Sequence, residues 1–365
     1  MKLTAPREDF LAPLQSVIGV VERRQTMPVL ANVLLSARES RLNITGTDLE
    51  VELVATSQVT VQQGGDITVP GRKLLDIFRS LPEKAAVTLS TEGERVSIRA
   101  GRSRFTLSSL PAAEFPLVEE INAQQTLSVA QGEFRRLIDK THFSMAQQDV
   151  RYYLNGLLLE TDGKSLRAVA TDGHRLALCE MALEEKAKTN QQVIVPRKGV
   201  LELQRILGTE GHIELAIGTN HVRAQIGAIR FTSKLIDGRF PEYGRVIPAS
   251  PARTVEADRE LLRQSLQRTA ILSNEKYRGI RLTARPDLLV IQAHNPEQEE
   301  AEDQVEVSYQ GEEVEIGFNV NYLLDALSAI ESEKVEIGLT DSNSSCLIHA
   351  PGTSHTRYVV MPMRL

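Results

Sequence analysis

Thr171-Asp172-Gly173-His174-Arg175 puts a carboxylate and an imidazole within three positions, the residue types that general acid–base and triad chemistry require. No Gly-x-Ser-x-Gly turn supplies a nucleophile beside them. A lone loop histidine more often serves a turn or a binding surface. Gly163-Lys164-Ser165 ends like a phosphate-binding loop, but the earlier glycine that such a loop needs falls on Leu158, and Gly156 leaves six intervening residues rather than four. Asp162-Gly163 is better read as a two-residue hairpin turn. Cys346, His349 and His355 could suggest a metal, yet the first two share one hairpin and no second ligand pair exists. The sequence therefore presents no convincing active site, and neither metal nor cofactor is expected.

The chemistry that does recur is cationic. Arg72, Lys73 and Arg79 reappear as Arg197, Lys198 and Arg205. Six segments with helical periodicity, 7–24, 71–81, 131–145, 196–207, 258–271 and 319–330, hold 15 basic and 10 acidic residues, so the rest of this chain of net charge −6 carries −11. Such cations are ordinarily solvated helix faces. Their repetition at equivalent positions favours a phosphate-facing surface, with an acidic exterior that discourages misplaced nucleic-acid contacts.

The elements that must position these residues also repeat. Gly101 to Pro116, GRSRFTLSSLPAAEFP, is echoed by Gly227 to Tyr243, GAIRFTSKLIDGRFPEY, with Arg-Phe-Thr 126 residues apart and Phe-Pro 125 apart. Thr356-Arg357-Tyr358-Val359 and Met361-Pro362 form a fainter third copy. The spacing predicts, three times over, a helix, three strands, a second helix and three strands. The first helices are expected near 7–21, 130–145 and 258–272, and the second near 71–81, 197–207 and 319–330. Apolar residues such as Phe10, Leu14 and Val17 fall at helical spacing, while Pro13 should kink its helix or shift its start. Val69-Pro70 and Val195-Pro196 launch the second helices, and Asn319 should cap the third. Hairpins should turn at Glu92-Gly93, Asp162-Gly163 and Gly218-Thr219-Asn220. Asn295 to Asp303, NPEQEEAED, reads as a solvated acidic loop.

These units are α+β, helices packed on antiparallel sheet, and 365 residues accommodate three of them: domains 1–122, 123–246 and 247–365. Met1 to Phe10 has no apolar signal core and no run reaches membrane-spanning length. Two distant cysteines argue against a disulfide scaffold and suit a reducing cytoplasm. A soluble cytoplasmic protein with no membrane partner is expected.

The triple repeat, with TDGHRLA (Thr171 to Ala177), SNEKYRG (Ser273 to Gly279), NPEQEEAE (Asn295 to Glu302), SKLIDGRFPEY and the terminal YVVMPMRL, closely resembles the bacterial DNA polymerase III beta subunits, the sliding clamps. The resemblance implies a non-catalytic homodimer, two crescents joined head to tail into a ring whose helices line a hole around duplex DNA. It implies processivity for the replicative polymerase, with the polymerase alpha subunit, the clamp loader delta subunit and other clamp-binding-motif proteins as partners. Helix geometry agrees on one point. Six helices about 8–10 Å apart close a hole under about 10 Å, whereas twelve leave about 25 Å, enough for a duplex.

Residue roles follow from the same resemblance. The DNA-facing set is Arg24, Arg72, Lys73, Arg79, Arg197, Lys198 and Arg205, with Gln148, Tyr152 and Tyr153 on a loop after the middle repeat's first helix. The peptide-docking set is Arg151, Leu154, Thr171, Gly173, His174, Arg175, Leu176, Pro241, Arg245, Val246, Ser345, Val359, Val360, Met361, Pro362, Met363 and Arg364. Without the resemblance, Val359 to Met363 would be read as a buried last strand. Asn343 departs from the apolar wall expected there. The dimer contact is Phe105 and Leu107 against Ile271 and Leu272, with core packing the competing reading for Phe105.

Overall fold

The structure, a computed structural model, describes residues 1–22, 27–118 and 120–364. Two compact units form: residues 1–135 with 198–235, and residues 136–197 with 236–365. The sequence repeats and the units do not coincide, because the middle repeat is divided between them.

Among the described residues six α-helices lie where the periodicity places them: α1 Arg7–Val17, α2 Gly71–Ser80, α3 Gln131–Asp139, α4 Arg197–Ile206, α5 Arg259–Thr269 and α6 Val320–Ala329. Each buries one stripe at helical spacing, such as Leu74, Leu75 and Phe78 of α2 or Leu323, Ala326 and Leu327 of α6. Helix α1 begins directly after Pro6 and runs through the buried Pro13 to Val17, where a 3-10 turn over Ile18–Val20 ends it. Helix α3 is shorter than its periodicity suggested and stops at Asp139, with a separate 3-10 turn at His142–Ser144. Thr141 replaces the continuing helix by donating its hydroxyl to Leu137 O at 2.5 Å. Pro70 closes the strand Gly65–Pro70 immediately before α2, where its missing N–H deprives no intrahelical bond. Asp258 and Asn319 cap α5 and α6 by accepting backbone N–H groups.

The strand count exceeds the sequence expectation. A strand precedes the first helix of each repeat (Lys2–Pro6, Ala123–Ala130, Arg253–Asp258), and another precedes the second (Gly65–Pro70, Gln191–Pro196, Val314–Asn319). These short pieces owe their form to sheet partners more than to their own periodicity. The acidic run differs in the structure: beyond Glu299 it is the strand Glu300–Ser308, whose solvent side holds Glu300, Glu302 and Glu306 while Asp303, on the other side, pairs with Arg268.

Within the first unit, five strands form one sheet and eight another; the second unit has a single sheet of twelve. The larger sheets join repeats by a shared rule. The last strand of the middle repeat, Ile229–Lys234, pairs antiparallel with the first repeat's Val51–Gln58, Phe231 opposite Leu53. The last strand of the third repeat, Thr356–Val360, pairs with the middle repeat's Arg175–Ala182, Tyr358 opposite Ala177. Leu53 and Ala177 are equivalent positions, so both seams share one register.

Candidate binding sites

The Thr-Asp turn is built identically in the first two repeats. Thr171 Oγ1 donates to Arg175 O and accepts Gly173 N–H, while Asp172 Oδ1 accepts His174 N–H and Arg175 N–H. Thr47 and Asp48 do the same for Leu49, Glu50 and Val51. Gly173 has φ +89° and Leu49 +78°. Asp172 thus serves a turn, and its second oxygen pairs with Arg175 at 3.1 Å. That leaves no free base for the exposed His174 to work with.

Around this turn lies a cavity of about 180 Å³. Of the expected docking residues, Arg151, Leu154, Thr171, Gly173, Arg175, Leu176, Pro241, Val246, Val359 and Met361 line it. Tyr153, Glu242 and Tyr243 line it as well, although the sequence reading placed Tyr153 with the DNA-facing set and did not single out the other two. The signal for Tyr243 was present: it follows Phe240-Pro241 in the long echo. Phe240 belongs to one apolar cluster with Leu158, Val169, Leu176, Leu178, Ile194, Leu347 and Val359, which makes the floor apolar.

The remaining docking candidates sit otherwise. Val360 belongs to the core on the other sheet face with Ala177 and Tyr358, because adjacent strand residues point to opposite faces. His174 contributes its carbonyl, which accepts Met361 N–H at 2.9 Å. Ser345 Oγ donates to Val246 O at 3.2 Å. Arg245 pairs with Glu242 at 2.6 Å. Pro362 and Met363 are half-buried, Met363 N–H donating to Gly317 O, and Arg364 is exposed. Asn343 is exposed in the turn after Leu339.

Two arginines fix the cavity rim. Arg151 binds Asp149 through Nε and Nη2 at 3.0 and 2.8 Å, which holds the Asp149 carboxyl down to about 2. An added Cβ at Gly173 would stand 3.0 Å from the Arg151 guanidinium. Arg175 is tied on every side: Asp172, Asp325 at 2.5 Å, Phe143 O at 2.6 Å and the Tyr322 ring, 4.6 Å away.

The cationic candidates divide. On α2, Arg72, Lys73 and Arg79 are exposed, and among the described residues only Arg72 donates to a neighbour, Val21 O. On α4, where Arg197 stands at the place of Gly71 and Lys198 at that of Arg72, the cations are engaged. Lys198 contacts Glu22 and the buried Asp48, and Arg205 pairs with Glu202 at 2.7 Å and reaches the carbonyls of Gln15 and Ser16. Arg197 is half-buried and donates to Met145 O at 3.5 Å; burial, then the Arg175 charge, lowers its proton affinity. Gln148, at φ +56°, and Tyr152 are exposed, on a loop closed by Asp149 and Asn155. Arg24 lies outside the described residues.

At the proposed dimer positions, Phe105 and Leu107 are half-buried on the edge strand Ser103–Ser108. Ile271 is 75% exposed and Leu272 half-buried. Among the described residues no helix is long and apolar enough to cross a membrane.

Comparison with known proteins matches this architecture along its length. Profiles of the DNA polymerase III beta subunit match as N-terminal domain over residues 1–119, central domain over 128–242 and C-terminal domain over 244–364. The beta sliding clamps of Pseudomonas aeruginosa and Escherichia coli K12 are 55% and 52% identical, each over the whole of both chains. The crystal structure of a sliding clamp from Pseudomonas aeruginosa bound to griselimycin superposes with a TM-score of 0.97 at 55% identity, and one from Caulobacter crescentus with 0.96 at 42%, both covering 100% of each chain. With its threefold helix-and-sheet plan, shared seam register and full-length match, the chain belongs to the DNA polymerase III beta subunit family, the non-catalytic DNA sliding clamps that dock partner proteins.

Proposed function

We propose that two copies of this chain close head to tail into a ring around duplex DNA, and that the 180 Å³ cavity holds the apolar side chains of partner peptides. The observation that carries the ring is the seam rule. In each internal seam the last strand of one repeat pairs with the fourth strand of the repeat before it. That leaves the first repeat's last strand, Ser103–Ser108, at a sheet edge. It also leaves the third repeat's strand Glu300–Ser308 with one side engaged only at Val307 and Ser308. A second copy satisfies both edges, and contacts of one unlike pair close a ring when the rotation allows. Charge favours the pairing: Arg95, Arg99, Arg102 and Arg104 are exposed around the first edge, and Glu297, Glu299, Glu300 and Glu302 around the second.

In this reading Lys73, Arg79 and Arg72 meet phosphate without reading bases, as a sliding protein requires, and Gln148 and Tyr152 add contacts from the loop. Phe105, Leu107, Ile271 and Leu272 pack at the seam. The polymerase alpha subunit and the loader delta subunit supply peptides to one shared cavity, in which Met361 adapts to different side chains. The protein is assigned to the cytoplasm, in keeping with Cys179 and Cys346 as buried free thiols.

Light scattering across a dilution series tests the ring: twice the chain mass is expected down to low concentration, and a persistent micromolar monomer would defeat the proposal. On DNA, loaded protein should be retained on closed circles and lost from linear duplex. Deletion of residues 361–365 should abolish peptide binding and leave the dimer; unchanged peptide affinity would refute the cavity assignment.

A further inference from the structure

A second, larger cavity of about 690 Å³ lies on the other side of the segment Pro241–Tyr243, which forms a wall of both. Its apolar surface comes from Leu178, Phe240, Ile247 and Leu347. Its carboxylates are already engaged. Glu160 accepts from Tyr243, Arg167 and Gln192, and Glu242 pairs with Arg239 and Arg245. Arg357 also lines this space. Its Nε, like that of Arg230, is buried without a hydrogen-bond partner, but its guanidinium, unlike that of Arg230, takes part in no ion pair among the described residues.

The equivalent arginine elsewhere in the chain explains what is missing. Arg230 lies opposite Val54, and Glu52, two residues away on the same strand face, places a carboxylate 3.9 Å from its guanidinium. Arg357 lies opposite Leu178, and the position equivalent to Glu52 is Leu176. The repeat kept the arginine and lost the internal anion. A buried or half-buried guanidinium without an acceptor is costly, and an anion from outside would satisfy it.

We infer that this cavity is a binding site for a small organic anion, a carboxylate or a phosphate monoester on an apolar body, with Arg357 as its anchor. The volume suits such a ligand, and the apolar residues fit the body while Arg357 takes the charge. Nothing in this inference requires the peptide cavity to be occupied or correctly assigned.

The test uses the full-length protein and three probes, benzoate, phenyl phosphate and inorganic phosphate, followed by calorimetry and by NMR of methyl-labelled leucine and isoleucine. Saturable binding of benzoate or phenyl phosphate, with shifts at Leu178, Ile247 and Leu347, is expected, and whichever binds assigns the anionic group. Arg357→Gln should weaken it about tenfold or more. Ser354→Trp, which fills the cavity from an exposed rim position, should block it without touching the sheet. The inference is overturned if neither organic anion saturates at millimolar concentration. It is overturned equally if both folded variants bind as the parent does, or if inorganic phosphate alone binds and Arg357→Gln leaves that binding unchanged.

Discussion

The seam of Ile229–Lys234 on Val51–Gln58 and the seam of Thr356–Val360 on Arg175–Ala182 share a register and differ in chemistry. The first is polar beneath its covering segment. Thr45, Glu52 and Thr232 are buried, Val118 N–H donates to Glu52 at 2.9 Å, and Phe115 packs on Val29, Leu30 and Leu34. In the second seam the equivalent positions are Val169, Leu176 and Val359, and Phe240 covers an apolar floor. An internal hydrogen bond draws the covering chain down in one seam. In the other, three apolar residues offer no such acceptor, and Leu176 and Val359 line the cavity of about 180 Å³. The same fold thus gives a sealed joint and an open one.

Making the open seam resemble the sealed one is expected to have the largest effect. Leu176→Glu places a carboxylate in the peptide cavity and should reduce partner-peptide affinity on the order of a hundredfold or more. Fluorescence anisotropy with a labelled peptide reads this, and undiminished binding would mean that Leu176 is not part of the contact.

Gly173→Ala comes next. The equivalent Leu49 shows that this turn admits a side chain at positive φ, so the damage should come from displacing Arg151. Peptide affinity should fall about tenfold, with about 1 kcal/mol lost in stability. A stability loss without an affinity loss would separate the turn from the cavity.

The contrast extends to the helices. Lys198→Ala strips the buried Asp48 of its partner and should lower stability by about 1–3 kcal/mol in urea melts. Lys73→Ala should leave stability within about 0.5 kcal/mol and instead reduce the salt dependence of DNA binding by about one counterion. Equal effects from both would erase the distinction between α2 and α4.

Glu52→Gln should produce the smallest change. Burial raises the Glu52 pKa, against the hydrogen bond from Val118 and the Arg230 charge. The folded state therefore binds this proton more tightly than the unfolded chain, and wild-type stability falls as pH rises from the ordinary carboxylate value through the folded one. Gln keeps an acceptor for Val118 and removes that slope. The variant should gain on the parent as pH rises from 4.5 to 7, measured by urea melts at each pH. A constant difference across that range would rule out Glu52 as its source.

Much of this was legible in the residues. Helical stripes gave six helices because their period is local, and Asp162-Gly163 turned its hairpin because glycine there takes φ +88°. The echo of Arg104-Phe105-Thr106 in Arg230-Phe231-Thr232 exposed the repeat. The cavity was legible only in part. Leu154, Leu176 and Val359 come with the resemblance, as does Val360, although strand alternation sends it to the opposite face; Tyr243 is marked by the Phe-Pro echo, whereas Tyr153 reaches the cavity through a loop whose course has no local signature.

By itself the sequence determined the repeat, the helices, the turns and the positions of the cations, since each depends on neighbours a few residues away. Only the tertiary structure decided which cations stay free. Arg72 and Lys198 each stand second in their helices, and what separates them is Asp48, 150 residues from Lys198 along the chain and in contact with it in the fold. It also decided that half of an acidic run is a strand and that Arg357 has no carboxylate, because strand pairing is non-local and a side chain's partner is set by the strand placed beside it.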